Sequence, residues 1–164
     1  MDCTPVQRYR SDHNRKFNWI KSMAGKGTDQ DRDRTALVAP CGMNCGLCHA
    51  FLRTRKACPG CRGDDSVKPK TLVACRIKNC ERRIREGANN CSGCSSFPCD
   101  LLIHLDMRYR ANYGMSMIEN LKTIRASGMQ SFIRDERIKW ACLGCGGTIC
   151  VHKAHCLSCH RKWR

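Results

Sequence analysis

Five Cys-x-x-Cys pairs, at Cys45/Cys48, Cys58/Cys61, Cys91/Cys94, Cys142/Cys145 and Cys156/Cys159, limit what this chain can fold into more tightly than any hydrophobic pattern in it. Two thiolates two residues apart on a turn converge on one tetrahedral ion at about 2.3 Å each. Ten cysteines fall within the 59 residues from Cys41 to Cys99, in the runs PCGMNCGLC, CPGC, CRIKNC and CSGCSSFPC. With only ten aromatic residues among 164, apolar burial alone leaves so small a fold marginal, and metal binding is expected to supply part of its stability.

The 16 cysteines would in a secreted protein suggest a disulfide framework. The first 25 residues contain no apolar run of signal-peptide length, and no stretch approaches the roughly 20 apolar residues of a membrane span. The expectation is a cytoplasmic protein with no membrane partner, whose cysteine pairs are metal ligands. The formal charge of +16 counts every cysteine as neutral. A Zn(Cys)4 centre carries a net charge of minus two, so three of them would leave about +10, still strongly basic.

Taken in order, residues 1–36 are polar and read as a disordered basic extension with an unpaired thiol at Cys3. Residues 37–140 read as a cysteine-rich, mainly helical metal-binding domain, and residues 141–164 as a zinc ribbon. The fold class expected is thus a small metal-organised α+β protein. Helical composition after Cys45 places Leu47 and Phe51 on one face. The run TLVACRIKNCERRIREG predicts one strongly basic helix ending at Gly87, with Leu72, Val73, Ile77 and Ile84 as its apolar face. Pro98 opens a helix with Leu101, Leu102 and Leu105 inward. Ser116 with Glu119 forms a capping box for a helix that stops at Gly128. A last helix over residues 129–140 offers Phe132, Ile133, Ile138 and Trp140 to the core. Between the two C-terminal pairs, residues 148–151 read as a strand, with Cys150 a buried thiol.

The spacing Cys142-x2-Cys145-x10-Cys156-x2-Cys159 is that of a zinc ribbon sharing one tetrahedral ion. Upstream, Cys45, Cys48, Cys58 and Cys61 form the simplest quartet. A second draws four from Cys75, Cys80, Cys91, Cys94 and Cys99, with Cys41 a further surplus ligand, and the choice among them is open. Two or three Zn2+ ions are expected. An iron–sulfur cluster is the competing cofactor, because thiolates hold both, although the spacing is not that of a bacterial or plant-type ferredoxin. Cys41-x3-Cys45-x2-Cys48 also matches the cluster motif of radical S-adenosylmethionine enzymes, but the chain is too short for the barrel those enzymes need. Four histidines, His49, His152, His155 and His160, sit beside cysteines, yet full Cys-x-x-Cys pairs make a histidine ligand unnecessary.

On PCGMNCGLCHAF, CPGC, CRIKNC, CSGCSSFPCDLL, IENLKTIRASGMQSFI and CLGCGG, the chain resembles a family of small cysteine-rich prokaryotic proteins described as a presumed zinc-binding domain of unknown function. The likeness spans about residues 38–160. It implies an archaeal or anaerobic bacterial cytoplasmic protein, and metal binding by Cys41 to Cys99 as a group. No activity comes with it.

No Ser-His-Asp arrangement, phosphate-cradling glycine loop or isolated carboxylate pair is visible, so no catalytic residue and no small-molecule substrate is assigned. The expected role is non-catalytic: a multi-zinc scaffold contacting RNA or a ribonucleoprotein through its basic helix and the basic end Arg161–Arg164. The alternatives are a redox or metal-handling protein built on surplus thiolates, and a module that docks on a protein partner.

Overall fold

The computed structural model describes residues 34–164, so the extension expected over 1–36 lies, up to residue 33, outside the described residues, as does Cys3. Regular structure is helical: α1 (His49–Leu52), α2 (Lys70–Val73), α3 (Glu81–Arg85), α4 (Asp100–Tyr113) and α5 (Met117–Lys139). Single 3-10 turns stand at Arg34–Leu37, Cys45–Leu47 and Cys91–Gly93.

The two long helices form where local signals are strongest. α4 starts at Asp100, an acidic residue in the first turn, where it complements the helix dipole, and ends on Gly114 in the left-handed conformation at φ 62°. α5 is capped by Ser116, whose Oγ accepts the N–H of Glu119 at 3.0 Å, as the capping box predicts. Its helical geometry breaks at Gly128 (φ 80°, ψ 161°), the expected stop, and resumes through Phe132, Ile133 and Trp140, all buried. Asp106 fastens the two helices together. Its buried carboxylate accepts from Ser116 Oγ at 2.7 Å and from the N–H of Ile118 at 2.9 Å, and it pairs with Arg110.

The core gathers Leu102 of α4, Met115 between the helices, and Met117 and Leu121 of α5 against Ala39, Met43 and Leu47. The C-terminal segment joins the same cluster. Ile149, Cys150 and Val151 are fully buried, and the Val151 N–H donates to Leu47 O at 3.0 Å. Trp140 and Trp163 meet edge to face at 5.5 Å. Residues on both sides of position 140/141 therefore share one buried cluster.

Two expectations need correcting. The single basic helix over residues 71–87 is two short pieces, α2 and α3, with Leu72 and Ile84 exposed rather than inward. Side chains end what backbone hydrogen bonds would have continued: Asn79 Nδ2 donates to Val73 O at 2.7 Å, and Arg83 donates to Lys78 O and Ala88 O, each at 2.8 Å. The β part of the α+β expectation shrinks to three isolated bridges among the described residues, Val38↔Asn44, Ala141↔Thr148 and His155↔Lys162. Each cysteine turn closes on itself after one bridge, which leaves no length for a ladder. Among the described residues, no helix is long and apolar enough to cross a membrane.

Candidate metal centre

The C-terminal unit is one turn used twice, fourteen residues apart. In the first copy Cys142 N–H donates to Gly147 O (2.7 Å) and Gly146 N–H to Cys142 O (2.8 Å); in the second, Cys156 N–H donates to Arg161 O (2.9 Å) and His160 N–H to Cys156 O (3.1 Å). The bridges Ala141↔Thr148 and His155↔Lys162 obey the same offset. So do the bonds that tie each copy to the core, from Ile149 N–H to Trp140 O at 2.8 Å and from Trp163 N–H to Ala154 O at 3.1 Å. At the matching position each turn needs a positive φ, supplied by Gly146 (73°) and by His160 (58°).

These turns bring the Sγ atoms of Cys142, Cys145, Cys156 and Cys159 within 4.8 Å of one another. Cys142 and Cys159 are 3.6 Å apart, Cys145 and Cys156 3.7 Å. A tetrahedron with arms of about 2.3 Å has edges of about 3.8 Å, so a thiolate-bound ion of zinc's size fits this spacing. Gly144 N–H and Ser158 N–H point at Cys142 Sγ and Cys156 Sγ, each at 3.4 Å, and stabilise negative sulfur. The thiols share protons unequally. N–H groups of Cys159 and Ser158 pull Cys156 down to about 6. The Gly147 N–H draws Cys145 the same way, but the thiols of Cys159, Cys156 and Cys142, together with burial, push it up to about 11.

The ten upstream cysteines are arranged differently. Cys45 has Cys48, Cys58 and Cys61 around it, and the Cys61 N–H donates to Cys45 Sγ at 3.2 Å. Cys91 has Cys80, Cys94 and Cys99 around it. Cys41 lies between the groups, next to Cys45, Cys61 and Cys91, and Cys75 lies beside Cys61. Among the described residues, only the C-terminal four bring three or more ligand atoms within 4.8 Å of one another. Burial pushes the metal-free thiols of Cys41, Cys45 and Cys91 up to about 12, against the pull of hydrogen bonds and cations, so loading this region with metal must displace protons.

Three cations missed at the sequence level thread this region. Lys68, its side chain 1% exposed, donates to Cys61 O, Gly63 O and Asp65 Oδ1 at 2.7–2.9 Å. Arg62 bridges Val38 O (2.7 Å) and Asn89 O (2.6 Å), joining the Cys61 turn to the approach to Cys91. Arg83 is buried. Asn44 and Asn90 each stand immediately before a Cys-x-x-Cys pair; Asn90 reads in the sequence as a turn into Cys91, and the repeated Asn-Cys is legible at both. His152 is engaged away from the thiols: it accepts the backbone N–H of His49 at Nδ1 (3.2 Å), leaving Nε2 to face Tyr109 Oη at 3.1 Å. Cys150 is buried, as expected, and outside the four-thiol cluster.

Residues 37–104 match the model of a family described as a protein of unknown function (DUF3795), in keeping with the resemblance read from the sequence. That segment holds all ten upstream cysteines and stops short of the C-terminal unit. No curated protein and no solved structure matches the chain.

Proposed function

We propose that this protein is a non-catalytic, metal-stabilised scaffold whose residues 141–164 form a zinc ribbon holding one Zn2+ through Cys142, Cys145, Cys156 and Cys159. The single observation that carries this reading is the spacing of those four thiols, 3.6 and 3.7 Å across two of its edges, against about 3.8 Å for a zinc tetrahedron. The buried Lys68 and Arg83 beside the upstream cysteines donate to backbone carbonyls, which is structural rather than chemical work. Metal analysis of protein purified without oxygen tests it. Zinc is expected, with one equivalent lost in Cys142→Ser. A visible absorption band with stoichiometric iron, bleached in air, would instead select the redox or iron–sulfur reading.

For a partner, the scaffold reading favours RNA, because Arg161 and Lys162 are exposed beside the second cysteine turn. Arg83 and Lys68 are buried and donate to carbonyls, which withholds their charges from a partner. Binding of a short RNA should weaken steeply with added salt, and absence of binding at low salt excludes it.

A further inference from the structure

The two Asn-capped turns of the upstream region are copies of each other. Asn44 Oδ1 accepts the Gly46 N–H at 3.0 Å and Asn90 Oδ1 the Ser92 N–H at 3.1 Å. Each opens a 3-10 turn that closes when the second cysteine's N–H meets the first cysteine's carbonyl, Cys48 to Cys45 at 2.9 Å and Cys94 to Cys91 at 3.2 Å. The second cysteine then leaves extended in both, at φ −84°, ψ 136° for Cys48 and φ −81°, ψ 139° for Cys94. The backbone therefore presents two thiol pairs in the same local geometry, and each pair has its own companions: Cys58 and Cys61 for the first, Cys80 and Cys99 for the second. Cys80 stands immediately before α3 and Cys99 immediately before α4, so the starts of two different helices, on either side of the Cys91 turn, deliver them to Cys91.

A second observation sits at the Cys91 group. Arg83 is 9% exposed, and its two terminal nitrogens donate to Ala88 O and Lys78 O, but its Nε has no partner. A buried guanidinium N–H without an acceptor is destabilising. Its charge lies against Cys91. A tetrathiolate centre with a net charge of minus two is the kind of neighbour such a donor requires.

We propose that Cys80, Cys91, Cys94 and Cys99 hold a divalent cation of the zinc class at a centre of their own, separate from the group around Cys45, with Arg83 as the donor that offsets its charge. The proposal rests on the metal-scaffold reading and extends it to a defined ligand set. It leaves Cys75 outside the set, although Cys75 precedes Cys80 by only five residues.

Zinc-loaded full-length protein, exposed to a rising concentration of chelator, pulse-alkylated and mapped by mass spectrometry, tests it without any substitution. Cys80, Cys91, Cys94 and Cys99 should become reactive together in one step, distinct from the steps of Cys45 and of Cys142. Reactivity of these four in the loaded protein, or exposure of Cys80 and Cys91 in different steps, overturns the centre. Failure of Cys142, Cys145, Cys156 and Cys159 to unmask together would strike the ribbon alone. Arg83→Gln should retain the zinc count but release one ion about tenfold more readily. An unchanged release profile would remove Arg83 from its role.

Discussion

Residues 141–164 gather four thiols with two copies of one short turn, whereas the segment from Cys41 to Cys99 gathers ten with turns, short helices and buried cations drawn from along its length. In the C-terminal unit nearly every hydrogen bond that places a cysteine lies within seven residues of it, so the turn is sufficient and the Sγ spacing is already that of a metal tetrahedron. Upstream, Cys91 N–H is held by Pro40 O at 2.8 Å and Cys58 N–H by Ala50 O at 2.8 Å, so each thiol depends on where another element packs. The contrast teaches that identical Cys-x-x-Cys pairs can be placed by local geometry or by tertiary structure, and that the two should fail differently.

The largest expected effect breaks the local arrangement. Structural zinc is worth about 10–16 kcal/mol of apparent binding energy in zinc-finger peptides. Cys156→Ser should therefore abolish metal retention at this unit and erase the near-UV circular dichroism of the Trp140–Trp163 pair. A preserved aromatic signal would mean that the turns hold without metal.

The next separates the regions by one glycine from each. A Cβ on Gly42 would lie 2.8 Å from both Leu121 Cγ and Met117 O, at a φ of +85°, whereas one on Gly146, at +73°, would meet nothing within 4 Å. Overpacking adds to the left-handed penalty only in the first case, so Gly42→Ala should cost about 3 kcal/mol and Gly146→Ala about 1 kcal/mol. Denaturant titration of the metal-loaded variants measures both, and equal losses would undo the claim that only the upstream turn is pressed into the helices.

Acid tests the helical support behind the upstream region. Burial alone would raise the Asp106 carboxyl, but the Ile118 N–H, the Ser116 hydroxyl and Arg110 hold it below the usual carboxylate range. A depressed carboxylate contributes stability above its unfolded value of about 3.9, and loses it as pH falls through the folded value. Asp106→Asn should cost about 2 kcal/mol at neutral pH. Below pH 4 the gap between parent and variant should narrow, and a gap that stays constant down to pH 2 would contradict the assignment.

The smallest effect refines the likeness of the two C-terminal turns. His160 occupies with a side chain the conformation that Gly146 occupies without one. His160→Gly should raise stability by up to about 1 kcal/mol, read as a higher thermal midpoint with zinc bound.

How far the sequence could be read follows the same division. Ser116 and Glu119, Gly114, Gly128 and the C-terminal cysteine pairs act on residues a few positions away, and each did in the fold what its local chemistry predicts. The basic run around Arg76–Arg85 misled because helix periodicity does not register Asn79 and Arg83 folding their side chains back onto carbonyls that a continuous helix would have used. The Asn44 and Asn90 caps were legible as a repeated Asn-Cys, but their importance shows only once both turns are seen to be superimposable in their hydrogen bonds.

The sequence by itself determined that thiols crowd this chain, that a helix closes near Gly114 and another opens at Ser116, that helical geometry breaks at Gly128, and which four cysteines gather in the C-terminal unit, because those features depend on spacings of a few residues. Only the tertiary structure decided which upstream cysteines stand near one another, that Cys41 falls between the two groups, and that Lys68 and Arg83 are buried among them while Arg62 stays exposed. Ten thiols can be paired in many ways at similar local cost. The packing of α4 and α5 against residues 38–47, and the carbonyl partners of the buried Lys68 and Arg83, set which of these thiols lie near one another.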